Sequence, residues 1–203
     1  MTIAVTGPLA CGKSTFVRML GDLGAETVSA DGLVHDLLAG DSETVRAVAA
    51  RFGDEVRGEA GIDRPALSGK VFGDPEALAD LESILHPRVR AETGRRASAS
   101  RAPVFVSEVP LLFEGGNTGV FDMTVAVATP GERRRAWALD RGMGEERWRA
   151  IEARQLSSEE KARRADVVIE NSGDLDTLWE KARGLMDRLT GEGGSGDSQG
   201  EKE

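Results

Sequence analysis

Near its start the chain carries Gly7-Pro8-Leu9-Ala10-Cys11-Gly12-Lys13-Ser14, followed by Thr15. The spacing is that of G-x-x-x-x-G-K-[ST], a loop that wraps a polyphosphate with successive main-chain N–H groups. No other feature of the sequence restricts the fold as much. Such a loop needs a strand to fix its start and a helix whose N-terminus adds partial positive charge at the anion. Both flanks are present. Ile3-Ala4-Val5-Thr6 is a short apolar run suited to a buried parallel strand, and Phe16, Val17, Leu20 and Leu23 recur at helical spacing before Gly24. Lys13 would bridge the terminal phosphates of a nucleoside triphosphate as a point charge, and the Ser14 hydroxyl would serve magnesium. Cys11 has two readings: a thiolate-prone group beside Lys13 and a helix N-terminus, or a small loop residue and nothing more.

Strands alternating with helices predict a mostly parallel sheet covered on both faces. A second short strand is expected within 25–31, and Val104-Phe105-Val106, Met123 to Ala128 and Val167-Val168-Ile169 supply further strand signals. From Gly32 to about Ser100 the pattern is almost wholly helical. Ser42 is a candidate N-cap, Asp63-Arg64-Pro65 and Asp74-Pro75 read as helix starts, and Pro87 is expected to open another helix. A highly charged helical stretch covers 132–164, and a last helix is expected from about Leu175 to Thr190 with Leu178, Trp179, Leu185 and Leu189 inward. The end from Gly191, GEGGSGDSQGEKE, is expected to be disordered.

A phosphate loop names a nucleotide, not a reaction, so the acids and bases beyond it matter. Asp31, in Ser29-Ala30-Asp31, ends the second strand signal, where the strands of a parallel sheet converge on a ligand crevice. A carboxylate there would orient an acceptor hydroxyl and take its proton; capping the helix that starts at Gly32 is the other reading. Glu108 follows a strand and fits either a magnesium-linked carboxylate or a solvent-facing glutamate. Arg141-Gly142-Met143-Gly144 lies between two charged helices and suggests a hinged lid, with Arg141 as the group brought to the transferring phosphoryl and Gln155 and Lys161 as secondary choices.

Composition closes off other classes. Of 203 residues, 26 are Lys or Arg and 35 Asp or Glu; the net charge of −9 argues against a nucleic-acid footprint. One cysteine excludes an intrachain disulfide framework, and two histidines are too few for most histidine-rich metal sites. No apolar run reaches the roughly 18 residues of a membrane span, and the start carries no secretory pattern, so a cytoplasmic location is expected.

Taken together, TGPLACGKSTF, the SAD at 29–31, LHP at 85–87, VPLLFE at 109–114, RGM at 141–143 and ADVVIENSG at 165–173 resemble the dephospho-coenzyme A kinase family, in order and spacing, over about 2–190. The resemblance implies an α/β P-loop NTPase fold with a five-stranded parallel sheet flanked by helices. It implies a core from 2–31, 101–131 and 165–190, a helical coenzyme A lobe at 32–100 and a lid at 132–164. It implies transfer of the γ-phosphoryl group of ATP to the ribose 3′-hydroxyl of dephospho-coenzyme A. By position, Ala10, Cys11, Gly12, Lys13, Ser14 and Thr15 would contact the ATP phosphates. Asp31 would be the acceptor-side carboxylate, Arg141 the lid arginine, and Asn171 would lie near the adenine. Magnesium, held by Ser14 and Glu108, is the implied cofactor; ATP and dephospho-coenzyme A are the implied partners, with no nucleic acid and no membrane, in a monomer or weak homo-oligomer. The loop carries Pro8 and Ala10 where the family uses glycine, and Glu108 stands where many members have aspartate. Two rivals remain: a nucleoside monophosphate kinase-like enzyme, and a nucleotide-binding module without catalysis.

Overall fold

The computed structural model describes residues 1–116 and 118–191. The elements run β1 (Thr2–Thr6), α1 (Lys13–Asp22), β2 (Glu26–Ser29), α2 (Ala30–Gly40), α3 (Ser42–Phe52), β3 (Arg57–Gly58), β4 (Gly61–Ile62), α4 (Arg64–Val71) and α5 (Pro75–Ala99). They continue as β5 (Phe105–Glu108), β6 (Met123–Ala128), α6 (Gly131–Asp140), α7 (Glu145–Glu152), α8 (Ser158–Arg164), β7 (Val167–Glu170) and α9 (Leu175–Thr190). Two compact units emerge: Met1–Thr27 together with the chain from Ser100 onward, and Val28–Ala99.

The first unit is built on a five-stranded parallel sheet of order β2-β5-β1-β6-β7. β1 lies at its centre, with Val5 opposite Glu108 on one side and Val125 on the other. Ile3, Ala4 and Val5 are all fully buried, which is why the strand reads as an unbroken apolar run. One face packs Ile3, Val5, Val106, Val125, Val127 and Ile169 against Phe16, Val17 and Leu20 of α1 and Leu178, Ala182, Leu185 and Met186 of α9. Each large side chain buried there contributes roughly 1.5–3 kcal/mol. The inward face of α9 is therefore Leu178, Ala182, Leu185 and Met186; Trp179 and Leu189 lie half-buried at its margin.

The second unit is helical around Leu38, Val48, Phe52, Val56, Leu67, Leu81 and Leu85, and here the structure corrects three expectations. Asp41, not Ser42, caps α3: its carboxylate accepts from the Thr44 amide at 2.7 Å and the Thr44 hydroxyl at 2.6 Å. A small antiparallel hairpin, β3–β4, interrupts the helices and delivers Ile62 to the core. Its Gly61 has φ +108°, and a Cβ there would sit 2.4 Å from the Leu38 carbonyl oxygen. Pro87 does not open a helix; it lies exposed inside the 25-residue α5. A proline in a helix interior removes one donor and crowds the carbonyl four residues back. The starts marked by Asp63 and Asp74 are as expected, since each carboxylate accepts from amides of the following turn. The tail expected to be disordered lies, from residue 192, outside the described residues; Gly191 closes α9 in the left-handed region, φ +78°.

Candidate active site

The loop between β1 and α1 is shaped by positions where the backbone must leave the ordinary regions. Gly7 has φ +152° and Gly12 φ +91°. A Cβ on Gly7 would lie 2.6 Å from both the Cys11 sulfur and the Val127 carbonyl oxygen; one on Gly12 would lie 2.3 Å from Asn171 Nδ2. Ala10 alone among the described non-glycine residues has positive φ, +57°, a conformation that costs an L-residue roughly 1–2 kcal/mol. The amides of Ala10, Gly12, Ser14 and Thr15 donate to no group among the described residues, so the loop presents unpaired N–H groups at the mouth of α1. Lys13 is buried, with Nζ 3.5 Å from the Pro8 carbonyl oxygen.

Ser14 and Glu108 meet. The serine hydroxyl donates to Glu108 Oε1 at 2.7 Å, joining the first turn of α1 to the last residue of β5. Among the described residues no cluster of three or more His, Cys, Asp or Glu side chains stands ready for a metal. A hydroxyl beside one carboxylate nevertheless suits magnesium, which takes oxygen ligands and draws most of them from water and substrate phosphates. Cys11 is fully buried, and burial pushes its thiol pKa up against the opposing pull of Lys13. The thiolate-prone reading is thereby overturned, and Cys11 is a packing residue of the loop.

A cavity of about 630 Å³ opens beside the loop, lined by Gly12, Thr15, Trp137, Asp140, Arg141, Asn171, Gly173, Leu175 and neighbouring residues. Its size falls within the usual range for small-molecule sites. Arg141, exposed at the C-terminus of α6, and Asn171, buried after β7, both reach it. The Asn171 amide also donates to the Cys11 carbonyl oxygen at 2.9 Å, as does the Thr129 hydroxyl at 2.9 Å. Asp31 belongs to the second unit. It lies two residues past the end of β2, exposed in the first turn of α2, whose cap is Ser29; its carboxylate has no hydrogen-bond or ion-pair partner among the described residues.

Several contacts were not legible in sequence. Lys161, 1% exposed, bonds the Pro110 carbonyl and the Glu114 carboxylate, each at 2.7 Å. Burial lowers its pKa while Glu114 resists. The pair explains VPLLFE: Leu112 is fully buried, and Pro110 and Glu114 anchor α8. Arg134, 4% exposed, forms a forked pair with Glu152 at 2.7 and 2.8 Å and lies over the Trp148 ring. Its guanidinium also reaches the Leu9 carbonyl oxygen at 3.3 Å, and Gln155 Oε1 accepts from the Leu9 amide at 2.9 Å. The charge run of 132–164 hid these among solvated arginines, since nothing in helical spacing separates a buried arginine from its exposed neighbours.

A parallel sheet whose central strand feeds an amide-lined loop with a lysine, beside charged helices bonded back to that loop, is the architecture of the P-loop kinases, and this chain is built on it. The family model for dephospho-CoA kinase matches residues 1–177. A dephospho-CoA kinase of Rhodopseudomonas palustris is 40% identical over 192 residues, covering 92% of this chain and 94% of the relative. One of Protochlamydia amoebophila is 37% identical over 193 residues, covering 92% and 95%. A solved structure of a Thermus thermophilus protein is similar with a TM-score of 0.79 and 34% identity, covering 94% of this chain and 98% of that one. The chain belongs to the dephospho-CoA kinase family.

Proposed function

We infer that this chain phosphorylates the ribose 3′-hydroxyl of dephospho-coenzyme A with ATP, giving coenzyme A and ADP, the final step of coenzyme A biosynthesis. The observation that carries the reading is the amide-lined loop with Lys13 at the mouth of α1, in a chain of this family. The unpaired amides of the loop from Ala10 to Thr15, those of Ala10, Gly12, Ser14 and Thr15, and the Lys13 ammonium hold the β- and γ-phosphates. Ser14 and Glu108 are the residues that would hold magnesium, whose charge would offset that of the phosphates when bound. Asp31, with no competing partner for its carboxylate among the described residues, aligns the acceptor hydroxyl and receives its proton as the new O–P bond forms and the bond to the β-phosphate oxygen breaks. Arg141 closes on the transferring group from the end of α6, and Asn171 borders the nucleotide cavity. Little covalent work falls to the protein in such a transfer; positioning and electrostatics carry the rate.

In this reading 32–100 receives dephospho-coenzyme A, 132–164 is the lid, and the enzyme is a cytoplasmic monomer or weak homo-oligomer with no nucleic-acid partner. No helix among the described residues is long and apolar enough to cross a membrane. The test is mass spectrometry of the acceptor after incubation with magnesium and ATP, offered dephospho-coenzyme A beside nucleoside monophosphates. One added phosphate on the ribose of dephospho-coenzyme A is expected. Preference for a nucleotide acceptor would overturn the reading in favour of a nucleoside monophosphate kinase, and ATP binding with no product from any acceptor would leave a binding module.

A further inference from the structure

We propose that Gln155 and Arg134 are positioning residues that set the conformation of the phosphate loop from the lid segment, by clamping both polar groups of Leu9. The proposal rests on the reading of this loop as the ATP phosphate site. Leu9 precedes the strained Ala10, and its own polar groups are both taken by side chains far away in sequence. Its N–H donates to Gln155 Oε1 at 2.9 Å, and its carbonyl accepts from Arg134 Nη1 at 3.3 Å. The guanidinium is itself fixed: Nε donates to the Thr129 carbonyl oxygen at 3.2 Å, the Glu152 carboxylate takes the fork, and Trp148 lies beneath. Two residues on, the Cys11 carbonyl is held by Thr129 and Asn171.

The consequence follows from which donors remain. Pro8 has no N–H, and the Leu9 N–H is committed to Gln155, so neither serves a phosphate. The Cys11 N–H is given to the Pro8 carbonyl at 3.4 Å, so the anion is met by the amides of Ala10, Gly12, Ser14 and Thr15, and the φ of +57° at Ala10 sets the direction in which the chain presents them. An alanine does not favour that region unaided. With the carbonyls of Leu9 and Cys11 both drawn to donors, the loop is held where a glycine would otherwise supply the freedom but not the preference. Because Arg134 lies on α6 and Glu152 on α7, the same bonds tie the lid helices to the phosphate loop: displacing these helices must either break them or move Leu9.

The test uses the full chain and compares wild type with Gln155→Met, which keeps the side-chain length but replaces the amide oxygen with a weakly accepting thioether sulfur. Magnesium-ATP binding is titrated by calorimetry without acceptor. Hydrogen exchange of the Leu9 amide is followed by NMR, KM for each substrate and kcat are measured, and thermal unfolding is recorded. Gln155→Met is expected to release the Leu9 amide to fast exchange and to weaken ATP binding about tenfold, the size expected when a half-buried donor loses its acceptor. KM for dephospho-coenzyme A should stay at its wild-type value, and the unfolding temperature should fall by no more than the few degrees that one lost hydrogen bond costs. Unchanged ATP binding, or an unchanged Leu9 exchange rate, overturns the proposal. So does a loss of ATP affinity matched by a larger fall in unfolding temperature and a rise in both KM values, which marks a role in folding alone. Should Gln155→Met not fold, Arg134→Lys, which keeps the charge but loses the fork that fixes the donor to the Leu9 carbonyl, carries the test through calorimetry, the KM values and thermal unfolding. A wild-type protein that binds magnesium-ATP yet does not phosphorylate dephospho-coenzyme A would sink the functional reading and leave the clamp decided by calorimetry and exchange.

Discussion

Lys13 and Asp31 divide the proposed chemistry between them, one holding charge and one taking a proton. Lys13→Met and Asp31→Asn are each expected to lower kcat/KM at least about a hundredfold in a coupled ADP-release assay, the low end for losing a charge clamp or a general base. An Asp31→Asn enzyme with near-normal turnover would remove it as the base. A third residue carries a prediction of opposite sign. Ser107 is 1% exposed on β5, and its hydroxyl has no partner among the described residues. A buried hydroxyl without a hydrogen bond costs free energy. Ser107→Ala should therefore hold stability level or raise it by about 1 kcal/mol in urea unfolding. At this scale the sequence was legible where chemistry fixes identity: Gly7, Gly12, Lys13 and Ser14 stand as a phosphate loop demands. It offered Gln155 only as a secondary lid residue and was silent on Thr129; the bonds of both to the loop join positions more than a hundred residues apart.

At the scale of elements, hydrophobic period and caps located most helices and all five strands of the main sheet, because a strand such as 3–6 and a helix such as α1 announce themselves locally. The β3–β4 hairpin escaped since two-residue strands leave no period to read. Pro87 misled for a physical reason: its rule is a local one, whereas α5 is held by tertiary packing of Ala77, Leu81 and Leu85 that outweighs it. The side chain of Arg88 returns to the Ile84 carbonyl at 2.7 Å in the same turn. Pro87→Ala is expected to stabilise the protein by about 1–3 kcal/mol, up to the full cost of proline in a helix interior. Equilibrium denaturation measures it, and a destabilised variant would mean that the helix draws on the proline's rigidity.

For the molecule as a whole, acid is the condition that bears on both units. Glu92 in α5 accepts from Arg95 and Arg96, which hold its pKa at about 2 rather than 4.5. Hydrogen bonds from Thr44, Thr2, Thr124 and Thr177 lower those of Asp41, Asp122, Asp166 and Asp174. Each group binds its proton more weakly folded than unfolded, so each contributes stability that acid removes; for Glu92 the contribution is complete above about pH 4.5 and is lost as pH falls toward 2. Thermal unfolding temperature should decline through that window, with a shallower decline in Glu92→Gln; an identical pH profile in that variant would remove Glu92 from the account. The order of strands and helices around the phosphate loop was legible across this whole length. The ties that draw 129–171 onto the loop were not, because they exist only once the chain has folded.

One feature of the loop reaches past phosphate chemistry. The acceptor inferred for this enzyme ends in a free sulfhydryl, and so does its product. A protein that handles such molecules at every turnover risks becoming tethered to them whenever conditions turn oxidising. Its single cysteine, Cys11, lies at 0% exposure with its proton held more tightly than usual. Forming a mixed disulfide needs an ionised sulfur and a path to it. A sulfur with no exposed surface and a raised pKa is poorly placed for that reaction, so the packing that shapes the loop also works against capture by the enzyme's own cargo.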